Sequence, residues 1–167
     1  MLINGYMLKE AIQCWELRRQ TADNAFDDSL VAFPGEEKMN PKAISEELER
    51  CEQAIVDLQV LQTRYNLEAR VTVQDRNMTL LSAVKRVGGA GRREKMWRQA
   101  VGQKRDRWDR PETSRSKDSE YAQRTITQEA ASEMAQGTAR FAGALRAAIG
   151  RGNAQNIDFD CDASLFE

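Results

Sequence analysis

Residues 40–68 read NPKAISEELERCEQAIVDLQVLQTRYNLE. Mostly apolar residues recur in this segment every three or four positions and so form one stripe along a helix. Asn40 can cap a helix through its side chain, and Pro41 suits the first helical position because its missing N–H has no partner there anyway. The pattern predicts an amphipathic helix over residues 41–68, about 40 Å long at 1.5 Å per residue. Its stripe consists of Ile44, Leu48, Cys51, Ile55, Leu58, Gln62 and Tyr65.

A second stripe lies upstream and predicts a helix over residues 7–32. Pro34 and Gly35 end this helix, because proline disfavours the helical conformation in the residue before it and glycine admits left-handed backbone. The polar run to residue 40 then forms a loop, so the two helices are expected to form a long antiparallel hairpin. The stripe consists of Leu8, Ile12, Trp15, Arg19, Ala22, Phe26 and Leu30. Apolar residues off the two stripes, such as Leu17 and Leu67, indicate that further helices or partner chains pack on the hairpin.

The middle of the chain, residues 70–126, is expected to contain short elements. Strand alternation over residues 70–74 and a turn at 75–77 predict a small β-hairpin, and Thr79 can cap a short helix that runs to Val87. Gly88-Gly89-Ala90-Gly91 is expected to end that helix, with another running over 92–103. Residues 104–117 show no apolar period and predict an exposed loop, and residues 120–126 are a candidate strand.

A last helix is predicted over residues 128–150, with Thr127 as its cap and Gly150 and Gly152 at its end. Residues 157–160 alternate as a short terminal strand. The whole chain, residues 1–167, is therefore predicted to form one mainly α domain: a long helical hairpin, the middle region, and the last helix and strand over 128–167. The stripe of the last helix consists of Ala131, Met134, Thr138, Phe141, Leu145 and Ala148.

The residue types and motifs that the sequence lacks exclude several kinds of function. The chain has no histidine, which removes Ser-His and Cys-His triads and His-ligated metal sites. Cys14, Cys51 and Cys161 are odd in number and share no C-x-x-C spacing, so reduced structural thiols are expected. Aspartates at 158, 160 and 162 lack the glycine and glutamate of a calcium loop. No catalytic residue, metal or cofactor is predicted, and the protein is expected not to be an enzyme.

No stretch reaches the roughly 18 to 20 consecutive apolar residues of a membrane span, and residues 1–7 lack the pattern of a signal peptide. A cytoplasmic protein without a membrane partner is therefore expected. Its charge is segregated: residues 1–75 carry 8 basic and 14 acidic side chains, residues 76–124 carry 14 and 6, and residues 125–167 carry 3 and 6. A basic middle thus lies between acidic ends.

Several short motifs recur in one protein family. They are Leu8-Lys9-Glu10-Ala11, Leu58 and Leu61 with Tyr65-Asn66, Met78-Thr79-Leu80, and Ile149 with Asn153. Asp106-Arg107-Trp108 stands where that family often has Asp-Arg-Tyr. In these motifs and in the order of its elements the chain resembles the septicolysin-like bacterial proteins of unknown function. The resemblance implies a helical, self-associating protein of unassigned activity. Pore formation is not supported, because the chain has neither β-hairpins of membrane-spanning length nor an apolar insertion helix.

The glycine run and the basic residues after it suggest a ligand site. If a helix begins near residue 92, free N–H groups and nearby cations would favour a phosphate, although the Gly-Lys-Ser/Thr ending of a P-loop is absent. Tryptophans at 97 and 108 offer stacking surfaces among arginines, as single-stranded nucleic acid or a nucleotide would use. The alternative interpretation is a plain interhelical turn with solvated arginines. The candidate phosphate-binding residues are Gly89, Gly91, Arg92, Arg93, Lys95, Trp97, Arg98 and Arg107.

Two functions from different classes follow from these patterns. The first is a non-enzymatic structural or interaction protein that forms homo-oligomers, because the predicted helices expose more apolar surface than one small domain covers. The second is a binding module that captures a phosphate-bearing ligand, a nucleotide or a nucleic acid, through the basic segment 85–110.

Overall fold

The structure is a computed structural model that describes residues 1–102 and 125–166. In this part of the chain four helices dominate: α1 (Gly5–Ser29), α2 (Pro41–Glu68), α3 (Leu80–Gly102) and α4 (Gln128–Asn153). Four short strands accompany them: β1 (Leu2–Ile3), β2 (Arg70–Val73), β3 (Arg76–Thr79) and β4 (Ile157–Asp158). A 3₁₀ turn spans Ala163–Phe166. The predicted mainly α fold with a small β-hairpin is confirmed.

Polar caps mark the starts of all four helices, and at α3 the Thr79 hydroxyl accepts a hydrogen bond from the Ser82 N–H at 3.1 Å, as predicted. Asn4 accepts hydrogen bonds from the backbone N–H groups of residues 6 and 7, and Asn40 accepts one from Lys42. Thr127 accepts one from Ala130. The prediction for α2 is confirmed at both ends. Helix α1 ends at Ser29 rather than at 32, because the residues that follow face solvent and would gain no burial by extending it.

The predicted break at Gly88–Gly91 is wrong, because α3 runs without interruption from Leu80 to Gly102. Among the described residues, Gly35 is the only glycine with a positive φ. Glycine lowers helix stability by about 1 kcal/mol relative to alanine, which packing can overcome. Here Ala83 and Ala90 are buried in the core. The guanidinium of Arg146 on α4 donates a hydrogen bond to the Glu94 carboxylate at 2.9 Å. Tertiary contacts therefore hold the glycine-rich stretch in the helix.

Strands β2 and β3 form an antiparallel hairpin, with Val73 opposite Arg76. The turn consists of Gln74 and Asp75, one residue earlier than the predicted 75–77, and both have left-handed backbone, with φ of 48° and 64°. Such a two-residue turn matches the twist of the strands it joins. β1 pairs antiparallel with β4, so the terminal strand is confirmed but covers Ile157–Asp158 alone rather than 157–160. Residues 103–124, which include the predicted loop and most of the candidate strand at 120–126, lie outside the described residues.

Helix α4 continues to Asn153, so Gly150 and Gly152 do not end it as predicted. Gly152 is needed for a close approach, because a Cβ atom there would lie 2.7 Å from Val71 Cγ1 and 2.8 Å from Leu80 Cδ1. The Tyr65 hydroxyl lies 2.6 Å from the carbonyl oxygen of Gly152 and 2.8 Å from that of Gln155. Burial raises the pKa of this phenol. The last turn of α4 is thus held against both the hairpin and α2.

One apolar core joins all four helices, and we call it the shared core. Its fully buried centre includes Leu8 of α1, Leu58 of α2, Leu80 of α3 and Leu145 of α4. The antiparallel pairs α1–α2 and α3–α4 both extend from this region. Cys51, buried between α1 and α2, lies outside the shared core. Within the described residues, no helix is long and apolar enough to cross a membrane.

Candidate anion-binding cleft

A cleft of about 720 Å³ lies where the tip of the β2–β3 hairpin meets the α3–α4 pair. Sites for small organic ligands commonly enclose about 300 to 1,000 Å³, so this volume is sufficient for one. Three elements supply its walls. The hairpin contributes Val73, Gln74, Arg76 and Met78; α3 contributes Arg86, Ala90 and Arg93; and α4 contributes Glu133, Met134, Gly137, Thr138, Arg140 and Phe141.

Regular spacing places these side chains on the cleft. On α3, Arg86, Ala90 and Arg93 follow the i, i+4, i+7 pattern of one helix face. On α4, the same spacing forms two adjacent rows, Glu133–Gly137–Arg140 and Met134–Thr138–Phe141. On β3, Arg76 and Met78 are two residues apart and share one face of the strand. The cleft therefore depends on α3 being continuous.

The lining is strongly basic. Four arginines (76, 86, 93 and 140) face one glutamate, Glu133, which gives a formal charge of +3. None of the four forms an ion pair with a described residue, whereas Arg98 and Arg146 both pair with Glu94 at 2.7 and 2.9 Å. Uncompensated like charges around one cleft repel one another, and a bound anion would relieve that repulsion.

Apolar side chains form the remainder of the lining. Phe141 is half-buried, and the guanidinium carbon of Arg93 lies 5.8 Å from its ring centroid. This cation–π contact steadies the guanidinium while leaving its N–H groups available. Val73, Met78 and Met134 extend the apolar surface. The cleft thus combines cations with an apolar surface.

Two neutral polar groups also lie in the lining. The Thr138 hydroxyl donates within its own helix, with the carbonyl oxygens of Met134 at 2.8 Å and Ala135 at 3.0 Å. The amide of Gln74 makes no hydrogen bond with a described residue. The lining contains no cysteine, serine or lysine, and the Thr138 hydroxyl is engaged by the backbone of its own helix. Among the described residues, no group of three His, Cys, Asp or Glu side chains is placed to hold a metal ion.

The cysteines lie away from this cleft. Cys51 is buried, and its pKa is raised by desolvation and by Glu47, whose carboxylate oxygen lies 3.9 Å from the sulfur. A raised pKa keeps the thiol protonated and unreactive, which fits the predicted structural role. Cys14 is exposed and Cys161 partly exposed, and both are free thiols. The structural interpretation therefore holds best for Cys51.

The predicted site residues are dispersed by the continuous helix. Arg93 alone lines the cleft. Arg92 and Lys95 lie about 100° and 160° around α3 from it, at 100° per residue, and are exposed. Arg98 pairs with Glu94, and Trp97 is half-buried one turn beyond Arg93. Gly91 faces Arg146, Gly89 lies within the helix, and Arg107 and Trp108 are outside the described residues.

The predicted mechanism at a helix start is therefore wrong. The N–H groups near residue 92 belong to the middle of α3, where each one bonds the carbonyl four residues earlier. The residues that the sequence reasoning missed are Arg76, Arg140 and Phe141, with Arg86 counted only as part of the basic segment. The spacing of Arg86, Ala90 and Arg93 carries a signal, but only if α3 is taken to continue through the glycines. Nothing in the sequence links that face to α4.

Comparisons with known proteins give the fold and no function. No family model matches the chain, and no curated protein matches it. A crystal structure of a functionally unknown conserved protein from Corynebacterium diphtheriae is similar, with a TM-score of 0.61 and 20% sequence identity. The match covers 95% of this chain and all of that one. The two proteins share a fold, and the resemblance to septicolysin-like proteins stays a prediction.

Proposed function

We propose that this protein is a non-enzymatic binding module that captures a phosphate-bearing ligand in the cleft between the β2–β3 hairpin and the α3–α4 pair. The observation that carries the proposal is the convergence of four arginines, without ion-pair partners among the described residues, on one cleft. Of the predicted site residues, which lie at 89–98 and at Arg107, the proposed site keeps Arg93, and it adds arginines from β3 and α4.

The chemistry of arginine supports this choice of ligand. A guanidinium presents its N–H groups in a planar fork that fits two phosphate oxygens at once, and it stays charged at any physiological pH. Arginines on three separate elements can approach one phosphate group from different sides. Cys14, Cys51 and Cys161 are all free, which supports a reducing compartment such as the cytoplasm for this function.

A charge-matched pair of double variants tests the proposal. Arg93→Ala with Arg140→Ala removes two cleft arginines, whereas Arg92→Ala with Arg151→Ala removes two exposed arginines of the same helices outside the cleft. Calorimetric titration with inorganic pyrophosphate at low salt should show binding to the parent and to the second variant. The first should bind about 10- to 100-fold more weakly for each charged hydrogen bond lost. Equal losses in both variants would mean that only the overall charge matters.

A second candidate function, a homo-oligomeric interaction protein, is favoured by exposed apolar residues on the α1–α2 pair. At the tip between these helices, Val31 is 71% exposed, Phe33 78% and Met39 67%. On the outer face of α2, Val56, Val60 and Leu67 form an exposed stripe. Contiguous exposed apolar side chains are typical of surfaces that bind a partner, and a second copy of the chain is the simplest one.

Light scattering coupled to size exclusion tests this candidate. The parent should be an oligomer at micromolar concentration, and Phe33→Asp should shift it toward monomer, because a buried unpaired carboxylate opposes association. Glu37→Asp, in the same loop, is the matched control and should leave the mass unchanged. A parent protein that is monomeric at these concentrations would remove the oligomer candidate and leave the cleft proposal standing.

A further inference from the structure

The shape and composition of the cleft restrict its ligand further than its charge does. An inorganic anion would contact the guanidinium groups and leave Met78, Met134 and Phe141 wet. A ligand that also carries a flat apolar part would cover this surface by packing against the side chains of Met78, Met134 and Phe141. The lining therefore suits an organic anion better than a free inorganic one.

The cleft arginines on the described part of α3 also span a short distance. Arg86 and Arg93 are seven residues apart on α3, about 10 Å at 1.5 Å per residue. Beyond Arg93 on the same helix, Glu94 forms ion pairs with both Arg98 and Arg146, and Glu133 adds an acidic group on α4. A nucleic-acid strand uses a groove that continues to present cations along its backbone, whereas the flanking carboxylates here suit a compact molecule.

The hairpin turn adds a hydrogen-bonding group. Gln74 and Asp75 both hold left-handed backbone, which glycine or asparagine adopts with less strain. Of these two residues, Gln74 lines the cleft and Asp75 does not. The Gln74 amide, which has no partner among the described residues, can donate to and accept from the polar edge of a ligand ring.

From these three features we infer that the ligand is a mononucleotide-like molecule, a compact organic polyanion that joins phosphate groups to a flat ring with a polar edge. Its phosphates bind the arginines, its ring packs against the apolar side chains of the lining, and the Gln74 amide forms hydrogen bonds with the polar edge of the ring. The inference rests on the proposed binding function and specifies its ligand. It also makes Gln74 a specificity-determining residue.

Titrations of the full-length protein test the ligand class. The probes are ADP, GDP, CDP and UDP, each alone, together with inorganic pyrophosphate and a twelve-nucleotide single-stranded DNA, and each probe is titrated at a low and at a higher salt concentration. At least one nucleoside diphosphate should bind tenfold or more tightly than pyrophosphate. Pyrophosphate binding equal to the best nucleotide would overturn the inference and leave the proposed function intact, and so would tighter, steeply salt-dependent DNA binding. Binding of none of the probes would contradict both.

Two glycines on α4 give a matched pair for the location of the ligand. Gly137 lines the cleft and Gly143 does not, and an added Cβ meets nothing within 4 Å at either position. Gly137→Phe should fill the cleft and abolish nucleotide binding, whereas Gly143→Phe should bind like the parent. Circular dichroism confirms that both variants fold. Retained binding in Gly137→Phe would overturn the assignment.

The two turn residues provide the corresponding pair for specificity. Gln74→Gly and Asp75→Gly should both raise the melting temperature, since each relieves left-handed strain. Gln74→Gly should also weaken the best nucleotide about tenfold while leaving pyrophosphate binding unchanged. Asp75→Gly should leave both affinities unchanged. If Gln74→Gly binds the nucleotide as well as Asp75→Gly does, the role assigned to Gln74 is wrong.

Discussion

The α1–α2 and α3–α4 pairs are both built from long antiparallel helices that extend from the shared core, yet they are packed and charged differently. Large side chains such as Ile44, Ile55 and Leu58 fill the interface of α2, whereas α3 and α4 bury many alanines. A surface groove on α1–α2 is lined by three acidic residues and one arginine, and the cleft on α3–α4 has four arginines and one glutamate.

This difference has a physical consequence. Small residues let α3 and α4 approach closely, and Ala90 and Gly137 leave room at the surface where the hairpin tip lies. The candidate site is located in the α3–α4 pair, which contains most of the glycines. Its helices therefore have the weaker intrinsic stability. The acidic pair, with its exposed apolar tip, is the better surface for a partner chain.

We expect the largest loss of stability from a substitution in the shared core, which joins the α1–α2 pair to the α3–α4 pair. Leu58→Ala, at a fully buried position of the shared core, should lower the free energy of unfolding by about 2–5 kcal/mol. Leu48→Ala, at a half-buried position outside the shared core, should cost less. Urea unfolding followed by circular dichroism measures both. A single transition is expected, and two transitions would show that the pairs unfold independently.

Gly152→Ala tests the close approach of α4 to the β2–β3 hairpin and to the start of α3. The new Cβ atom would lie 2.7 Å from Val71 Cγ1, so the variant should be destabilised by about 1–3 kcal/mol through overpacking. Gly143→Ala in the same helix meets nothing within 4 Å and should be neutral or stabilising. Thermal melts compare the two, and equal melting temperatures would contradict the tight packing.

Tyr65 links α2 to the end of α4, and we expect the loss of this link to lower the free energy of unfolding somewhat less than Gly152→Ala does. Tyr65→Phe removes the hydroxyl near the carbonyl oxygens of Gly152 and Gln155, which should cost about 1–2 kcal/mol. Burial raises the pKa of Tyr65, so the folded state holds the phenol proton more tightly. The stability from this proton is complete below pH about 10 and is lost as pH rises through the raised pKa. Unfolding measured from pH 8 to 11 should show this loss in the parent but less of it in the variant.

We expect the smallest change in stability from a glycine substitution that tests whether α3 is continuous. Gly88→Ala should raise the free energy of unfolding by about 0.5–1 kcal/mol, because Gly88 is exposed within the helix and an added Cβ meets nothing within 4 Å. A glycine in a left-handed turn would respond in the opposite direction. Gly35→Ala, at a φ of 87°, provides that contrast and should be destabilising. Equal signs for the two variants would contradict the helix boundary.

The success of the sequence predictions follows the same division between the pairs. In α2, Asn40 and Pro41 mark the start and a strong apolar period marks the length, so both ends are predicted correctly. In α3, the glycines give a strong local signal for a turn, and contacts with α4 override it. The expected helix start near residue 92 failed with the helix boundary, and of the predicted site residues Arg93 alone lines the cleft, because it lies on the face of α3 that meets it.

Local sequence patterns are sufficient to predict the helical class, the caps at Asn40 and Thr127, the hairpin of β2 and β3, and the absence of any histidine chemistry. These follow from local periodicity, capping chemistry and composition, which need no knowledge of distant residues. The continuity of α3, and the cleft that arginines from β3, α3 and α4 share, become apparent in the three-dimensional fold alone. Those features depend on contacts between residues far apart in the chain, whose packing energy outweighs the roughly 1 kcal/mol preference of each glycine against the helix.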